Sequence, residues 1–320
     1  MNLWGRQLHA QGVLGLNERN ANYIMMLNER RLYPRVDDKV LTKQLASEAG
    51  MAVPEMFVVA RSEADVRQLP EALIDHESFV IKPANGSGGD GILVIDGRRG
   101  DSYRLISGLL MDESSLLHHA SNIVGGQFSL TGGPDAALVE YRVRFDPVFD
   151  QISYQGVPDI RIIVYRGYPA MAMVRLPTRL SGGKANLHQG AVGAGIDVSS
   201  GVTLTGSSGN DKIEEHPDTL VPIAGNTVPH WQRMLEIGAL GYEVSGLGYL
   251  GVDLVIDKDK GPLMLEMNAR PGLNIQIANG CGLKPRFALI DQWLRESDSQ
   301  LNPAQRAAKS AELMASFSPT

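Results

Sequence analysis

Residues 251–272 read GVDLVIDKDKGPLMLEMNARPG, and this stretch decides the fold of the chain. Two apolar runs flank the charged turn DKDKG, which is the pattern of a β-hairpin. Polar side chains interrupt the apolar runs at Asp253, Glu266 and Asn268. Because side chains alternate along a strand, Glu266 and Asn268 share one face, and Asp253 on the neighbouring strand can lie opposite them. The sequence therefore predicts three oxygen-bearing side chains that converge on one face of a hairpin.

These three side chains have the chemistry of a magnesium site. Carboxylate and amide oxygens are hard ligands that Mg²⁺ prefers, and phosphate oxygens and water would complete its octahedron. Alternation places Met264 on the same face, where an acid without a partner would be costly to bury. The alternative is a solvated strand face, which the apolar flanking residues disfavour. We therefore predict Asp253, Glu266 and Asn268 as ligands of Mg²⁺, with Mn²⁺ as the other candidate ion.

A glycine-rich loop follows a predicted buried strand at 78–83. Lys82 lies near the end of that strand, and NGSGGDG follows at 85–91. Glycines let backbone N–H groups approach phosphate oxygens, because no Cβ stands in the way. The loop is neither a Walker A loop nor a Rossmann fingerprint, since no Lys-Ser/Thr pair follows the glycines. Two interpretations stay open from these residues alone: a polyphosphate site that includes Lys82, and a plain turn between two strands.

A third feature is the strand PDIRIIVYRG with the downstream segment NLHQGA. Asp159 and Arg161 share one face of this strand, and an arginine among Ile and Val needs a carboxylate or phosphate partner. Asn186 and His188 follow a glycine pair and are candidates for the same cleft. For His188 an ordinary loop histidine is favoured over a catalytic base. Lys184 is likewise favoured as a solvated charge over a phosphate ligand.

The composition is that of an ordinary globular protein. The chain has 320 residues, 43% hydrophobic and 21% charged, with a formal net charge of −6, which disfavours a general nucleic-acid binder. Its one cysteine, Cys281, excludes an intrachain disulfide, and we assign it no role. The start MNLWGRQLHAQG lacks the apolar core of a secretory signal, and no apolar run reaches membrane-spanning length. A cytoplasmic protein without a membrane span is therefore expected.

Short strands and helices alternate early in the chain, and antiparallel hairpins dominate later, which favours an α+β fold over a doubly wound parallel sheet. Strands are predicted at 56–60, 78–83, 92–95, 137–141, 159–165, 170–176, 190–198, 202–205, 250–257 and 262–268. Helices are predicted after Asp38, Ser62, Asp112 and Asn302 and across 228–243. We predict an N-terminal extension at 1–36, a lobe with the glycine loop at 37–136, a lobe with the metal site at 137–298 and a helical tail at 299–320.

The order of these features resembles the ATP-grasp superfamily. Within it, the chain is similar to the ligases that add glutamate to the C-terminus of a ribosomal protein, and to a bacterial α-L-glutamate ligase-like group. The resemblance covers about 38–283, and its most specific parts are DIRIIVYRG, NLHQGA and GVDLVID…GPLMLEMNARPGL. It implies an ATP-grasp fold, in which two α+β subdomains grip ATP and the C-terminal part carries an antiparallel sheet.

The resemblance also implies roles for individual residues. Lys39 and Lys82 match the lysines that reach the ATP phosphates, with Lys43 a less favoured choice than Lys39. Arg161 matches the arginine that stabilises the transferring phosphoryl group or the oxyanion, and Arg270, with Lys82, completes the catalytic set. The other implied nucleotide positions are Gly86, Ser87, Gly88, Gly89 and Gly91 in the mobile flap, Glu140 and Tyr141 in the adenine hinge, Asp159, and Asn186 near the phosphates. Asp253, Glu266 and Asn268 match the magnesium ligands, and Arg270 and Gly272 lie where such ligases contact the acyl substrate.

The predicted function is ATP-dependent ligation of a carboxylate to an amine through an acyl-phosphate. The resemblance implies addition of an amino acid such as glutamate to a peptide or small-molecule acceptor that bears a carboxylate. A cationic patch would receive the carboxylate of an amino-acid substrate, and its candidates are Arg142, Arg144, Arg175, Arg179 and Arg270.

Two departures from the resemblance leave the acceptor open. Such ligases carry an additional N-terminal α/β domain, whereas 38 residues precede Lys39 here, and the insert at 142–158 is longer than usual. A kinase on the same scaffold and a ligase subunit that needs a partner protein are the alternatives. A non-catalytic nucleotide-binding regulator is disfavoured because the predicted metal site is intact. A homo-oligomer is also compatible with the sequence.

Overall fold

The computed structural model describes residues 11–86, 88–129 and 132–317. Their contacts form two compact units. The smaller unit comprises the described residues of Asp37–Gln44 and Val53–Arg144, and the larger unit those of Met1–Val36, Leu45–Ala52 and Phe145–Thr320. The division after Arg144 differs from the predicted boundary between 136 and 137. The reason is that the strand Ala137–Tyr141 pairs with two strands of the smaller unit.

The smaller unit is built on a six-stranded antiparallel sheet in the order β1-β6-β2-β3-β4-β5. Its strands are β1 (Met56–Ala60), β2 (Phe79–Pro83), β3 (Leu93–Arg99), β4 (Ser102–Leu105), β5 (Leu110–Met111) and β6 (Ala137–Tyr141). Helix α1 (Lys39–Glu48) contributes its N-terminal part, and α2 (Glu63–Ala72) and α3 (Glu113–Val124) complete the unit. The glycine-rich loop is the connection between β2 and β3.

Local sequence explains where the helices of the smaller unit begin. Ser62 and Asp65 form a capping box at α2, and Asp112 caps α3 through the backbone N–H of Ser115. The apolar side chains of α2 and α3 then pack on the sheet in one buried cluster that includes Leu69, Leu116 and Phe79. The predictions of β1, β6 and both helix starts are confirmed.

The larger unit contains a seven-stranded antiparallel sheet in the order β11-β10-β9-β8-β7-β12-β13. Its strands are β7 (Asp159–Tyr165), β8 (Tyr168–Leu176), β9 (Val192–Ile196), β10 (Thr203–Ser208), β11 (Asp211–Ile213), β12 (Tyr249–Asp257) and β13 (Gly261–Asn268). The predicted hairpins β7–β8, β9–β10 and β12–β13 are confirmed by the strand pairing. β7 also pairs with β12, which sets two of these hairpins side by side.

After β11, the larger unit continues with the helices α4 (Trp231–Ser245), α5 (Ile275–Asn279), α6 (Lys284–Glu296) and α7 (Pro303–Met314). Gly238 and Gly241 let α4 lie close to the sheet, because a Cβ at Gly241 would lie 3.0 Å from Val252. α7 begins at a capping box of Asn302 and Gln305, as the cap at Asn302 predicts. This predicted tail packs on the larger unit, since Arg306 donates to the carbonyl of Gly167.

The segment 11–36 joins the larger unit through short helical turns. They are Leu16–Glu18, a π-helical turn at Arg19–Ile24, Met25–Leu27, a 3₁₀ turn at Arg30–Leu32 and Pro34–Asp37. The side chain of Arg19 donates to the carbonyl of Pro271, so this segment packs on the unit rather than extending from it. Among the described residues, no helix is both long and apolar enough to cross a membrane.

Candidate functional site

A buried ion-pair group lies on the sheet of the smaller unit. Glu140 on β6 accepts Lys82 Nζ at 2.6 Å and Lys43 Nζ at 2.7 Å. Lys43 is 0% exposed and Glu140 is 3% exposed. Burial, reinforced by the charge of Lys82, lowers the pKa of Lys43 to about 8, with Glu140 opposing the change. Burial acts to raise the pKa of Glu140, but the two lysines outweigh it and hold that pKa below its ordinary value.

The predicted hinge residues are engaged within the smaller unit. The carboxylate of Glu140 is held by two lysines, and the backbone N–H of Tyr141 donates to the carbonyl of Glu55 at 2.8 Å. Lys43, the less favoured of the two helix lysines in the sequence analysis, is the one that joins this group. Sequence alone did not pair Glu140 with a lysine, because its register with β2 depends on residues about 60 positions apart.

The glycine loop is fixed at its entry by polar contacts. Lys39 Nζ donates to the carbonyl of Gly86 at 2.6 Å. The backbone and side-chain N–H groups of Asn85 donate to the carboxylate of Asp135. Lys39 therefore lies at the predicted phosphate loop, with one of its hydrogen bonds made to the loop backbone.

The remainder of the loop has a backbone that only glycine adopts readily. Gly88, Gly89 and Gly91 have φ angles of 67°, 83° and 75°. A Cβ at Gly91 would lie 2.6 Å from Cγ of Phe128, so the loop packs directly on that ring. The carbonyl of Gly91 is 3.0 Å from Nε2 of His119 on α3. Ser87, a predicted contact, lies outside the described residues.

The larger unit carries a cluster of carboxylates and arginines on neighbouring strands. Asp253 on β12 lies opposite Arg161 on β7 and opposite Glu266 on β13. Arg161 donates to both carboxylate oxygens of Asp253, at 2.7 Å from Nε and 2.5 Å from Nη2. Arg175 on β8 forms a second two-pronged pair with Asp159 and also donates from Nη2 to Asp253 at 2.8 Å. The predicted partner of Arg161 is thus a carboxylate.

The pKa values of the carboxyl groups in this cluster depend on burial and on the neighbouring charges. Burial acts to raise the pKa of Asp253, but Arg161 and Arg175 outweigh it, and that pKa is well below its ordinary value. Burial raises the pKa of Asp159 to about 6, with Arg175 opposing and Asp253 adding to the rise. Asp159 and Asp253 are thus each paired with a guanidinium group, and Glu266 lies opposite Asp253 on β13.

The three predicted metal ligands remain compatible with Mg²⁺. Asp253 accepts three N–H bonds, and the last of the about four lone-pair sites of its carboxylate is used in a hydrogen bond with Glu266. Glu266 hydrogen-bonds to Asp253, an arrangement in which a cation can replace the proton between two carboxyl groups. Asn268 Oδ1 accepts the backbone N–H of Arg270 at 2.8 Å and keeps a second lone pair. The donor set therefore fits the ion.

Two features of the structure bear on the predicted metal ligands. Within the described residues, no group of three or more His, Cys, Asp or Glu is arranged to hold a metal ion, so the set depends on two carboxylates and one amide. The register of β12 with β13 shifts between Asp253 and Leu254, so Leu254 pairs with Met264 while Asp253 pairs with Glu266. This bulge breaks the alternation that placed Met264 on the same face as Glu266.

A pocket lies beside the carboxylate–arginine cluster in the larger unit. We call it the arginine pocket, and its lining residues are Arg161, Met173, Arg175, Asn186, Leu187, His188, Gly272 and Asn274. It brings together the predicted residues Arg161, Asn186 and Gly272. Asn274 was missed, although it lies two residues after Gly272 in the same turn, and Met173 and Leu187 carry no chemical signal in the sequence.

The five arginines proposed for a substrate carboxylate do not lie together in the structure. Only Arg175 of the five is among the described residues that line the arginine pocket. Arg142 pairs with Asp96, and both it and Arg144 belong to the smaller unit. The other two, Arg179 and Arg270, are exposed, and the Arg270 guanidinium lies over the ring of Tyr33. The predicted catalytic residue Arg270 is therefore outside this pocket.

The sequence model of a family described as sugar-transfer associated ATP-grasp matches residues 18–292. No curated protein gave a significant match.

The solved structure of D-cycloserine synthetase DcsG is 18% identical, with a TM-score of 0.42, and the match covers 89% of this chain and 72% of that one. D-alanine–D-alanine ligase from Bacillus anthracis is 12% identical, with a TM-score of 0.45 and coverage of 83% and 69%. The ATP-grasp ligase PsnB, complexed with a minimal precursor, is 13% identical, with a TM-score of 0.40; 90% of this chain matches 63% of PsnB, less than two thirds of its length.

Proposed function

The chain belongs to the sugar-transfer associated ATP-grasp family, and on that premise we propose that it is an ATP-dependent ligase that joins a carboxylate to an amine. The observation that carries this proposal is the cluster on β7, β12 and β13, where Arg161, Asp253 and Glu266 lie opposite one another in register. A guanidinium fixed beside two acids can stabilise a phosphoryl group in transfer. The same residue types suit a metal ion that accompanies ATP.

In this proposal the smaller unit binds the phosphates of ATP. Lys82 and Lys43 share one carboxylate, Glu140, so the group carries a net charge of about +1 and attracts an anion. Lys39 and the glycine loop add an ammonium group and backbone N–H groups. We assign Gly86, Ser87, Gly88, Gly89 and Gly91 to this loop contact, and we retain Glu140, Tyr141, Asp159 and Asn186 as proposed nucleotide positions.

The larger unit supplies the acids that would hold a metal. Asp253, Glu266 and Asn268 would be the ligands of Mg²⁺, or of Mn²⁺ in its place. When bound, the ion would offset the negative charge of the phosphates. Arg161 would stabilise the charge that develops during transfer.

The chemistry then has two steps. An oxygen of the substrate carboxylate attacks the γ-phosphorus of ATP, ADP leaves, and an acyl-phosphate forms. The amine nitrogen attacks the acyl carbon and loses a proton, and inorganic phosphate leaves as the amide bond forms. Lys82 and Arg161 act by positioning and by charge, which carry most of the catalysis in phosphoryl transfer. Closure of the glycine loop would keep water from the acyl-phosphate.

For the substrates we propose an amino acid, with glutamate as the first candidate, and a second molecule with a carboxyl group. The family is described as associated with sugar transfer. Sugar acids and amino sugars therefore join amino acids and short peptides as candidates.

The test is phosphate release from ATP and Mg²⁺ across a panel of amino acids, peptides, uronic acids and amino sugars. We expect release only when a carboxylate and an amine are both present. Glu266→Gln should reduce it by about a hundredfold or more, because an electrostatic group of the transition state is lost. Glu296→Gln, an exposed glutamate on α6, is the control and should leave the rate unchanged.

Other outcomes separate the alternatives. A stable phosphorylated product without any need for an amine would replace the ligase with a kinase. ADP binding without release on the whole panel would favour a ligase that needs a partner protein. Unchanged release by Glu266→Gln would refute the metal assignment.

A further inference from the structure

The glycine loop is held at its exit by two side chains of the smaller unit. Nε2 of His119 on α3 lies 3.0 Å from the carbonyl oxygen of Gly91, and a Cβ at Gly91 would lie 2.6 Å from Cγ of Phe128. The rings of His119 and Phe128 contact each other, with centroids 5.8 Å apart. Phe128 also packs on the buried core of the unit. The exit of the loop is therefore fixed to α3 and to the core.

The middle of the described loop, by contrast, is open. Gly88 and Gly89 are exposed, and beyond their chain neighbours no described atom lies within 4 Å of where their Cβ atoms would be. At the entry, Lys39 Nζ donates to the carbonyl of Gly86. The conformation of the described part of the loop therefore depends on the contacts at its two ends.

His119 acts at the exit as a hydrogen-bond donor. A carbonyl oxygen can only accept, so Nε2 carries the hydrogen atom of this contact. Burial lowers the pKa of His119 below its ordinary 6.5, with the bond to Gly91 opposing the change and His118 adding to it. The ring is therefore mainly neutral at pH 7, and its single N–H group is the one that holds the loop.

This hydrogen bond also sets the direction of the next N–H group. Because a trans peptide bond is planar, a fixed carbonyl of Gly91 fixes the N–H of Ile92 on the opposite side of the bond. That N–H donates to the carbonyl of Gly89 at 3.4 Å and closes a turn over 89–92. The contact of His119 with one oxygen atom therefore orders a whole turn of the loop.

The carbonyl groups at the two ends of the loop matter for a phosphate ligand. A carbonyl oxygen carries a partial negative charge and repels phosphate, whereas backbone N–H groups attract it. Lys39 occupies the carbonyl oxygen of Gly86, and His119 occupies that of Gly91, so the directions of both dipoles are set by donors. A loop that is already ordered in this way loses less conformational entropy when it binds a polyphosphate.

We propose that His119 is a positioning residue for phosphate binding, which holds the Gly91 carbonyl and so orders the turn 89–92 before a nucleoside diphosphate or triphosphate binds. Phe128 supports both the ring of His119 and the backbone of Gly91. This inference rests on the proposed binding of the ATP phosphates by the glycine loop. It adds a residue that acts through the loop backbone.

The affinity for ADP measures this role, by calorimetric titration with and without Mg²⁺. We expect His119→Ala to raise the Kd for ADP about fivefold under both conditions, because the hydrogen bond that orders the loop is lost. His119→Gln places an amide N–H at a similar reach and should recover most of the affinity. His118→Ala, at the exposed neighbouring histidine of α3, is the matched control and should bind ADP as the wild type does.

Hydrogen exchange shows whether the effect passes through the loop. Without nucleotide, amides in 88–92 should exchange faster in His119→Ala than in the wild type, and at nearly the wild-type rate in His119→Gln. The amides of β6 serve as an internal reference for the stability of the unit. Weaker ADP binding with unchanged exchange in 88–92 would overturn the proposal, because His119 would then act by another route.

The remaining outcomes separate this inference from the proposed function. If the wild type binds ADP and His119→Ala binds it equally well, the inference fails and the nucleotide site stands, whether or not the melting temperature falls. A loss of ADP affinity that His119→Gln does not recover would refute the role of the N–H group. If the wild type itself binds no ADP, the proposed function fails, and the phosphate role of His119 fails with it.

Discussion

Lys43 is a fully buried lysine that shares the carboxylate of Glu140 with Lys82. It also donates to the carbonyl of Pro54 at 3.1 Å, so its position is fixed from two sides. One carboxylate is shared by two ammonium groups, so Glu140 does not fully offset the cost of burying the charge of Lys43. Burial therefore lowers the pKa of Lys43 to about 8 from an ordinary 10.5. This lysine makes the stability of the protein depend on pH in a predictable direction.

We predict that the stability difference between the wild type and Lys43→Met grows in favour of the wild type as pH rises. Between the folded and unfolded pKa values, about 8 and 10.5, the unfolded chain binds more protons at this position than the folded chain does. The contribution of Lys43 to the free energy of unfolding is therefore complete above the pKa of the unfolded chain, and it is lost as pH falls through about 8. The full change is about 3 kcal/mol at most.

Urea unfolding of both proteins at about pH 7.5 and about pH 9.5 measures this difference. Lys258→Met, at an exposed lysine of the β12–β13 turn, controls for general effects of removing a positive charge. A stability difference that stays constant or shrinks as pH rises would show that the pKa of Lys43 is not lowered in the folded protein.

Individual residues show what sequence could and could not predict about the site. Asp253, Glu266 and Asn268 are candidates from sequence because three polar side chains interrupt apolar strands at spacings that share a face. Sequence could not single out Arg175 from the five arginines proposed for a substrate carboxylate. Its partners Asp159 and Asp253 lie 16 and 78 residues away in sequence, so no local pattern shows the pairing. Which charges meet across strands depends on register, and register is set by packing that a local pattern does not contain.

At the scale of elements, the segment 11–36 supports the loop that follows the β12–β13 hairpin. Asn28 Nδ2 donates to the carbonyls of Tyr249 at 2.7 Å and Ala269 at 3.3 Å, and its Oδ1 accepts the backbone N–H of Tyr249. Arg19 donates to the carbonyl of Pro271. The ring of Tyr23 packs on three aromatic rings, with centroids 5.8 Å from Tyr165, 6.1 Å from Tyr249 and 5.1 Å from Phe287.

We predict that Asn28→Ala destabilises the larger unit by about 2–4 kcal/mol, because it leaves buried backbone groups of Tyr249 and Ala269 without partners. Thermal unfolding measures the loss, and hydrogen exchange should become faster in 268–272. Asn17→Ala, at an exposed asparagine in the same segment, is the matched control. Equal melting temperatures for the two variants would show that Asn28 does not support this loop.

The elements themselves were predicted where a local signal existed. Hairpins had turn residues between apolar strands, and helices had caps such as Ser62, Asp112 and Asn302. The segment 11–36 had neither, and its order comes from contacts with residues more than 200 positions away. The bulge between β12 and β13 was also unforeseen, since an extra residue in a strand leaves no mark in an apolar run.

At the scale of the whole molecule, the two units carry different clusters of charged side chains. The smaller unit presents ammonium groups and a glycine loop, and the larger unit presents acids with arginines between them. If the lysine cluster and the carboxylate cluster both act on one nucleotide, each should make its own contribution to the affinity for that nucleotide. Lys82 would act on the phosphates with or without a metal, whereas Glu266 would act only through the metal.

We predict that ADP raises the melting temperature of the wild type, and raises it further with Mg²⁺. A ligand at 100 times its Kd stabilises a folded protein by about 2.7 kcal/mol, so variants that weaken binding reduce this shift. Glu266→Gln should retain the shift without Mg²⁺ and lose the extra shift with it. Lys82→Met should reduce both, and the double variant should show little shift under either condition.

The comparison of these variants tests whether the two units serve one nucleotide. Two independent sites would let Lys82→Met keep the full extra shift from Mg²⁺, because that shift would arise from a different bound ADP. One shared nucleotide makes the magnesium effect depend on Lys82, since ADP must first bind for the ion to add to its affinity. Scanning calorimetry of the four proteins with and without Mg²⁺ gives this dependence directly, with Lys258→Met and Glu296→Gln as charge-matched controls.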